Sequence, residues 1–403
     1  MIERPIYMNK VIPFIDTNIV KVFTGIRRCG KSVMMDLVKD ELLKRGINKE
    51  QILSLNFESK TDERCKSIDS VLDAVKKFKQ EKKIYLFFDE IQELPGWEKL
   101  INSFLIDFNA DIYITGSNAH LLSGELATYL AGRYIEIKMY PFSFKEICSL
   151  VASGNQLNNL SAETKKLFFD YVTYGGFPFI YNYNFSKSDI KQYLLDIFDS
   201  IILKDIAQRN KIRDISQFRT LLLYFIANIG NTVSASSIIK FLKNEYRSIS
   251  SETLYNYIDY SVDSCLLQLV KRQDLIGKAI LSTQEKIYLT DHGLREALYG
   301  NNNRDINQIL ENIVYMELLR RGYSVTIGKT KKGEIDFCGE KDGNRLYVQV
   351  AYILSSQETI EREFGAFNSI KDNYPRLVLS MDDFDFSRDG IIHKNIINWL
   401  LEE

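Results

Sequence analysis

The sequence predicts an α/β fold in three parts: a parallel-sheet core, a helical middle section and a C-terminal α/β section. Three observations predict it. Apolar, β-branched runs alternate with helical patterns over the first third of the chain. After Pro141 the pattern becomes helical and rich in aromatic residues. The last hundred residues again mix helical and strand patterns, which indicates a second α/β domain.

The composition is that of an ordinary globular protein. The chain has 403 residues, of which 45% are hydrophobic and 26% charged, and its formal net charge is −1. This balance excludes a global attraction to nucleic acid or to an anionic membrane, so either contact needs a local patch. The five cysteines form no C-x-x-C pair, and with three histidines they show no zinc-site spacing.

The same features predict the compartment. The first residues lack the apolar segment of a signal peptide, and the cysteines are scattered singly, so we expect the reducing cytoplasm. No apolar run approaches the roughly 20 residues that a membrane helix needs. We therefore expect no membrane partner.

Five apolar runs predict the strands of the core. Because strands buried on both faces read as near-continuous apolar runs, and because helical patterns separate most of them, a parallel sheet with crossover helices is favoured. We place this domain at residues 1–145. The runs are 19–25, 52–58, 83–91, 111–117 and 134–142.

The segment "GIRRCGKS" (25–32) matches the phosphate-loop pattern G-x-x-x-x-G-K-S/T between a predicted strand and a predicted helix. Backbone N–H groups of such a loop face phosphate oxygens, and the helix N-terminus adds a favourable dipole. Lys31 is predicted to hold the β- and γ-phosphates, and Ser32 a Mg²⁺ ion. For Cys29, a small filler is favoured over a redox switch. The predicted nucleotide-binding residues are Gly25, Arg28, Cys29, Gly30, Lys31, Ser32 and Val33.

Two acidic residues close the third predicted strand, "IYLFFDEIQEL". Asp89 is predicted to hold the magnesium through water. Glu90 is predicted to polarise the attacking water as general base. A pair of surface acids is the alternative, and the apolar lead-in after a phosphate loop argues against it.

Two further positions are catalytic candidates, and each has a structural alternative that stays open. After the fourth strand, Ser117 or Asn118 either hydrogen-bonds the attacking water or the γ-phosphate, or caps a helix. Arg133 is either an arginine finger or a solvated or structurally paired arginine. A finger acts in its own subunit or in a neighbouring one, and the second case implies a homo-oligomer.

The middle of the chain is predicted to form two domains. Residues 146–215 read as a helical lid or linker. Residues 216–300 contain two capped helices and then two strands, which is the winged helix-turn-helix pattern. Its second helix has no Lys or Arg, so major-groove binding and a simple packing role both stay open. A polar linker, 301–305, leads to the last predicted domain, 305–403.

These motifs resemble those of a known family. "GIRRCGKS", "LFFDEIQEL", "YITGSNAHLLSGELATYLAGR" and "YPFSFKEI" are similar to segments of the prokaryotic AAA+-type ATPases that carry a C-terminal domain of unknown function. The resemblance covers essentially the whole chain and is most specific in the first 145 residues. It implies ATP as the nucleotide, with Mg²⁺, and hydrolysis. It also implies an ATPase core followed by a winged helix and a nuclease-like fold.

For residues 305–403 the resemblance implies a restriction-nuclease-like site, which needs an acid on one strand and acid-x-lysine on the next. Glu311 and Asp336 match the acids. Gln349 stands at the second strand's acid position, and Ala351 at its lysine position. No nearby residue is expected to replace the lysine, since Arg345 lies about 13 Å from Gln349 along a regular strand. We therefore expect an inactive site.

The sequence favours an ATPase whose nucleotide state controls the binding of double-stranded DNA or of a protein by the C-terminal half. Two alternatives stay open. One is a nucleotide-gated scaffold that hydrolyses ATP very slowly. The other is an ATP-dependent nuclease, against which Ala351 argues.

Overall fold

The computed structural model describes residues 2–78, 82–117, 130, 132–151, 161–244, 249–275, 279–300, 305–330 and 333–402, with backbone alone at 233, 235, 279 and 281–284. The chain forms two compact units. Unit 1 is Met1–Tyr140 with Asp263–Cys265, and unit 2 is Pro141–Val262 with Leu266–Glu403.

Unit 1 is built on a five-stranded parallel sheet in the order β2-β3-β4-β1-β5. Every residue of β1, β3 and β4 is buried, as expected for strands covered on both faces. The predicted parallel-sheet core is thereby confirmed. Its strands are β1 (Val20–Thr24), β2 (Ile52–Asn56), β3 (Ile84–Asp89), β4 (Ala110–Gly116) and β5 (Tyr134–Lys138).

The described helices of unit 1 cover this sheet with apolar faces. In the third of them, Val71 and Val75 are fully buried and stand four residues apart on one face. Together with strand residues such as Phe88 they form one apolar core, in which each large buried side chain contributes about 1.5–3 kcal/mol. The helices are α1 (Pro5–Val11), α2 (Lys31–Lys44), α3 (Ile68–Phe78) and α4 (Trp97–Asp107).

Unit 2 contains an eight-stranded mixed sheet in the order β13-β12-β11-β10-β9-β7-β8-β6. The pairs β7–β9, β11–β12 and β12–β13 are parallel, and the other neighbours are antiparallel. The strands are β6 (Thr232–Val233), β7 (Leu267–Asp274), β8 (Ala279–Leu289), β9 (Ser324–Lys329), β10 (Glu334–Lys341), β11 (Asn344–Val350), β12 (Arg376–Ser380) and β13 (Ile392–Asn395).

This sheet crosses the predicted domain boundary at 301–305. Separate domains were expected over 216–300 and 305–403. In the structure, β7 pairs with β9, with Arg272 opposite Ile327. The physical reason is that β7, paired on one side with β8, presents backbone N–H and C=O groups on its other side, and β9 satisfies them.

Some described helices of unit 2 pack on the sheet, and others pack on one another. Two helices, Ala235–Asn244 and Ser251–Asp263, precede β7 and β8, which is the predicted helix–helix–hairpin order. The hairpin, however, belongs to the eight-stranded sheet. In the part of the chain that is described, no helix has the length and apolar character to span a bilayer. The helices are α5 (Phe144–Val151), α6 (Ala162–Tyr174), α7 (Lys187–Ser200), α8 (Ile215–Ala227), α9 (Ala235–Asn244), α10 (Ser251–Asp263), α11 (Gly293–Tyr299), α12 (Ile306–Arg320), α13 (Gln357–Gly365) and α14 (Ile396–Leu401).

The end of α6 packs closely against the start of α11. Asp291 accepts hydrogen bonds from the backbone N–H groups of Gly176 (2.7 Å) and Gly293 (3.0 Å). A Cβ on Gly175 would lie 1.8 Å from an Asp291 oxygen, and a Cβ on Gly293 would lie 2.2 Å from the Tyr174 carbonyl oxygen. These glycines are required because the two segments approach backbone to backbone.

Candidate functional site

The phosphate-loop segment connects β1 to α2. Gly25 has a φ of +145°, and a Cβ there would lie 2.3 Å from the carbonyl oxygen of Met139, so only glycine fits. Gly30, with a φ of +102°, directly precedes α2 and has no side chain to cap it. The first N–H groups of α2 therefore face the loop, which is the arrangement that binds phosphate.

Three other predicted loop residues differ in exposure. Arg28 in the loop, with a φ of +68°, and Val33 in the first turn of α2 are exposed. Cys29 is fully buried, and burial raises the pKa of its thiol. A buried, protonated thiol is a poor redox group, which favours the filler interpretation.

Arg4 connects the loop to the segment after β5. Its buried guanidinium donates to the carbonyl oxygens of Cys29 (3.0 Å) and Tyr140 (2.9 Å) and lies 4.5 Å from the Tyr7 ring centroid. The Tyr7 hydroxyl accepts a hydrogen bond from the Tyr140 N–H (3.1 Å). Sequence reasoning missed Arg4, because no motif includes it.

Lys31 and Glu90 meet in the structure. The Lys31 ammonium donates to the carbonyl oxygens of Gly25 (3.1 Å) and Ile26 (3.4 Å), and it lies 3.6 Å from Glu90 Oε1. Burial alone raises the pKa of Glu90, but the Lys31 charge and a hydrogen bond from Gln92 outweigh burial, so this pKa lies below its ordinary value. Glu90 is therefore ionised, as a general base must be.

The Glu90 backbone is held in an uncommon conformation. Its φ is +52°, a left-handed value rare for residues other than glycine. Its N–H donates to Thr115 Oγ1 on β4 (2.8 Å). Gln92 Nε2 donates to Glu90 Oε2 (2.5 Å), while the buried Oε1 of Gln92 has no hydrogen-bond partner within the described ranges. Sequence reasoning missed Thr115 and Gln92, although Gln92 follows Glu90 by only two positions.

Asp89 is buried at the carboxyl end of β3 and accepts hydrogen bonds from Thr115 Oγ1 (2.5 Å) and Asn56 Nδ2 (3.3 Å). Burial raises its pKa, and hydrogen bonds from Thr115 and Ser32 offset this only in part. A cation beside the Asp89 carboxylate would offset the remaining increase in this pKa. Asp89 and Ser32 offer the hard oxygen ligands that Mg²⁺ prefers, so these residues fit the expected ion.

The roles of the other catalytic candidates, like those of Lys31 and Glu90, stay predictions. Asn118 lies outside the described residues. Ser117 is buried at the end of β4. Arg133 is exposed, and its backbone enters β5 with its carbonyl accepting from the Val20 N–H (2.8 Å).

A second site candidate is a cavity of about 580 Å³ in unit 2, which brings together Glu311, Asp336 and Gln349. Asp336 Oδ2 accepts from the Val350 N–H (2.9 Å). Gln349 Oε1 accepts from the Asp336 N–H (2.7 Å), and its Nε2 donates to Glu363 (2.8 Å). The Gln349 amide therefore holds two strands and a helix of the cavity wall together.

The structure places a lysine beside these acids, whereas the sequence indicated only the more distant Arg345. Lys286 of β8 is 8% exposed, and its ammonium lies 3.7 Å from Glu311 Oε2 and 3.8 Å from Glu334 Oε2. Arg272 of β7 also pairs with Glu334. The physical reason is the continuous sheet, which carries β7 and β8 beside β9 and β10. Ala351 itself is buried against the apolar core.

The charges in this cavity interact. Burial and the nearby Glu311 carboxylate raise the pKa of Asp336 well above its ordinary value. Burial also raises the pKa of Glu311, which the Lys286 charge offsets in part. Over the described ranges, no group of three or more His, Cys, Asp or Glu side chains is arranged to hold a metal ion.

Comparisons with known proteins place the chain. A family model described as an AAA domain matches residues 17–148, and a domain of unknown function (DUF8612) matches residues 165–305. An uncharacterized protein of Haemophilus influenzae is 39% identical over 406 residues, covering 100% of this chain and 99% of the relative. The chain belongs to the family of this protein. A second relative, an uncharacterized protein of Methanocaldococcus jannaschii, is 33% identical over 382 residues, 90% of this chain and 80% of its own.

A solved structure is similar at lower identity. The Walker-type ATPase of Pyrococcus abyssi is 14% identical, with a TM-score of 0.44, over 74% of this chain and 96% of its own.

Proposed function

We propose that this protein is a Mg²⁺-dependent ATPase. The observation that carries the proposal is the meeting of Lys31, Glu90 and Asp89 at the carboxyl ends of β1 and β3. Ligands of open α/β sheets bind at this edge. The AAA-domain match over residues 17–148 supports the same class of ligand.

Each group has a separate task in this proposal. Lys31 and the first N–H groups of α2 bind the phosphates of ATP. The single Lys31 ammonium cannot fully neutralise both the Glu90 carboxylate and the phosphates, so the phosphates compete with Glu90 for Lys31. The ionised Glu90 then accepts a proton from the attacking water. Mg²⁺, held by Ser32 and Asp89, would neutralise charge on the phosphate oxygens.

Two substitutions separate binding from turnover. Lys31→Ala should weaken ATP binding, because the main cation of the loop is lost. Glu90→Gln should keep ATP affinity and lower kcat by about 10²- to 10⁴-fold, the usual range for a lost general base. The measurements are a fluorescent-nucleotide titration and the steady-state hydrolysis rate.

Lys44→Ala is the matched control, since Lys44 is an exposed lysine of the same helix. Unchanged ATP affinity in Lys31→Ala would contradict the binding site, and a normal kcat in Glu90→Gln would contradict the base. Tight ATP retention with almost no turnover in the native protein would favour the slow nucleotide switch.

We also propose that the nucleotide state controls binding of DNA or of a protein by unit 2. The outer face of α10 exposes Tyr255 and Asn256 but also Glu252 and Asp259. The steady-state ATPase rate with and without duplex DNA distinguishes the partners. Stimulation that falls with added salt indicates contacts to DNA phosphates, whereas an unchanged rate favours a protein partner or the slow nucleotide switch.

A second candidate function is metal-dependent phosphodiester cleavage in the unit 2 cavity. The position of Lys286 favours it, because this buried ammonium lies beside Glu311 as the missing lysine would. Magnesium is commonly held by one or two carboxylates together with substrate phosphates, so Glu311 and Asp336 would suffice.

Duplex DNA incubated with the protein and Mg²⁺ or Mn²⁺ tests this candidate. Cleavage should disappear in Asp336→Asn and in Lys286→Met, and it should persist in the control Lys271→Met, which changes an exposed lysine of β7. Circular dichroism checks that the variants are folded. Absence of cleavage by the native protein would leave the cavity as an internal ion network.

A further inference from the structure

Gln92 is a half-buried side chain whose two ends differ. Its amide nitrogen donates to Glu90 Oε2 at 2.5 Å. Its carbonyl oxygen is buried and accepts no hydrogen bond within the described part of the chain. Buried acceptors are nearly always satisfied in native proteins, because an unsatisfied one costs free energy. This oxygen therefore points to a donor that comes with the substrate.

We propose that Gln92 holds the Glu90 carboxylate in place and accepts one hydrogen of the attacking water. This inference rests on the proposed ATPase function and names a further residue of the same site.

The two oxygens of Glu90 support this assignment, because they have different neighbours. Oε2 is bonded to Gln92, and Oε1 lies 3.6 Å from the Lys31 ammonium. When ATP phosphates draw Lys31 away, Oε1 loses its cation while Oε2 stays bonded. The carboxylate therefore keeps its orientation and offers one oxygen to water. The Thr115 bond to the Glu90 N–H fixes the backbone beneath it.

A water between Glu90 and Gln92 has an acceptor for each of its hydrogens. One hydrogen bonds to Glu90 Oε1 and the other to Gln92 Oε1, so a lone pair of the water oxygen is directed away from both. Two acceptors fix the orientation of the nucleophile better than one.

The hydrolysis step balances with these groups. The water oxygen forms a bond to the γ-phosphorus, and the bond from phosphorus to the bridging oxygen breaks, its electron pair leaving on ADP. One water proton passes to Glu90 Oε1. The hydrogen that faces Gln92 stays on the oxygen of the released phosphate, and Gln92 exchanges no proton.

The test compares Gln92→Ala and Gln92→Glu with the native protein. We expect Gln92→Ala to lower kcat about 10- to 100-fold, the size of effect that a misplaced reacting group causes, with ATP affinity unchanged. Gln92→Glu should also lower kcat with ATP affinity unchanged, because a carboxylate cannot donate to Glu90 Oε2 and repels it.

Gln192→Ala is the matched control, since the Gln192 amide also donates to a carboxylate, that of Asp196, on an exposed helix. It should leave kcat and ATP affinity unchanged. A native kcat in Gln92→Ala would overturn the inference and leave the ATPase proposal standing. A parallel loss of ATP affinity would indicate a structural role and would also overturn it. A native protein that hydrolyses no ATP would overturn both.

Discussion

Arg4 determines, through one buried side chain, how the phosphate loop is held. Its guanidinium donates to Cys29 in the loop and to Tyr140 after β5. These two segments are far apart in sequence. Without Arg4, both buried carbonyl oxygens would lose the hydrogen bond that its guanidinium donates. A side chain outside every motif is therefore expected to affect nucleotide binding.

Arg4→Met should lower both stability and ATP affinity. Each buried carbonyl oxygen left without a donor costs about 1–3 kcal/mol, so we expect the free energy of unfolding to fall by about 2–6 kcal/mol. Urea denaturation followed by circular dichroism measures the first effect, and a nucleotide titration measures the second. Arg64→Met, which breaks only the exposed pair with Asp62, is the control and should change little.

Arg133→Ala should lower turnover without weakening ATP binding, because an arginine finger stabilises the charge of the transition state. The measurement is specific ATPase activity over a range of enzyme concentrations. Specific activity that falls on dilution would indicate an arginine supplied by a neighbouring subunit. Native turnover in this variant would leave Arg133 as a solvated side chain.

The site could be predicted from sequence where its chemistry is local. Lys31, Ser32, Asp89 and Glu90 lie in short motifs whose residue types are required by phosphate and magnesium. Lys286 could not be predicted, because β8 meets Glu311 only through the packing of α12 against the sheet. Long-range contacts leave no local pattern in a single sequence.

At the scale of elements, the junction between α6 and α11 depends on one ionisable group. Burial raises the pKa of Asp291 to about 7, although hydrogen bonds from the backbone of Gly176 and Gly293 act in the opposite direction. The folded pKa therefore lies above the ordinary value of 3.8. A group raised in this way contributes most to stability below pH 4, and its contribution is lost as the pH rises to about 7.

Asp291→Asn should remove this pH dependence. Relative to the variant, the native protein should lose stability between pH 4 and pH 7, by at most about 1.4 kcal/mol per pH unit. Denaturation midpoints of both proteins across this range provide the measurement. Parallel pH profiles would contradict the assignment. The variant should also be less stable at every pH. Each Asp291 oxygen accepts a backbone N–H, and the Asn side chain would place its own N–H₂ group against one of these donors.

Elements of the two sheets differ in how well the sequence predicts them. β1, β3 and β4 were predictable because strands buried on both faces are almost continuously apolar. β9, "SVTIGK", was missed because only two of its residues are buried and it carries a glycine. Without β9, its pairing with β7 could not be inferred.

At the scale of the whole molecule, we expect unit 2 to fold as one domain, because a single sheet runs through it. Five of the eight strands, β9 to β13, lie in the last hundred residues, so removing these residues leaves β6, β7 and β8 without the rest of their sheet. The predicted winged-helix domain is therefore not expected to be stable alone.

A fragment ending at residue 300 should be poorly soluble, because the edge of β7 that pairs with β9 becomes exposed to other chains. A fragment of residues 1–140, which keeps the five-stranded sheet complete, is the control and should be folded. Soluble yield and circular dichroism compare them. A folded, monomeric 1–300 fragment would restore the predicted boundary at 301–305.

The parallel pairing of β7 with β9 also imposes a delay during synthesis, because β7 is made before the strand it pairs with. β7 ends at Asp274 and β9 begins at Ser324, so β7 leaves the ribosome about 50 residues before its partner. At about 5–20 residues per second, the β7 edge waits roughly 3–10 s for β9. Holdase chaperones and slow or fast codons between these two strands should therefore influence how much of the newly made protein reaches its native fold.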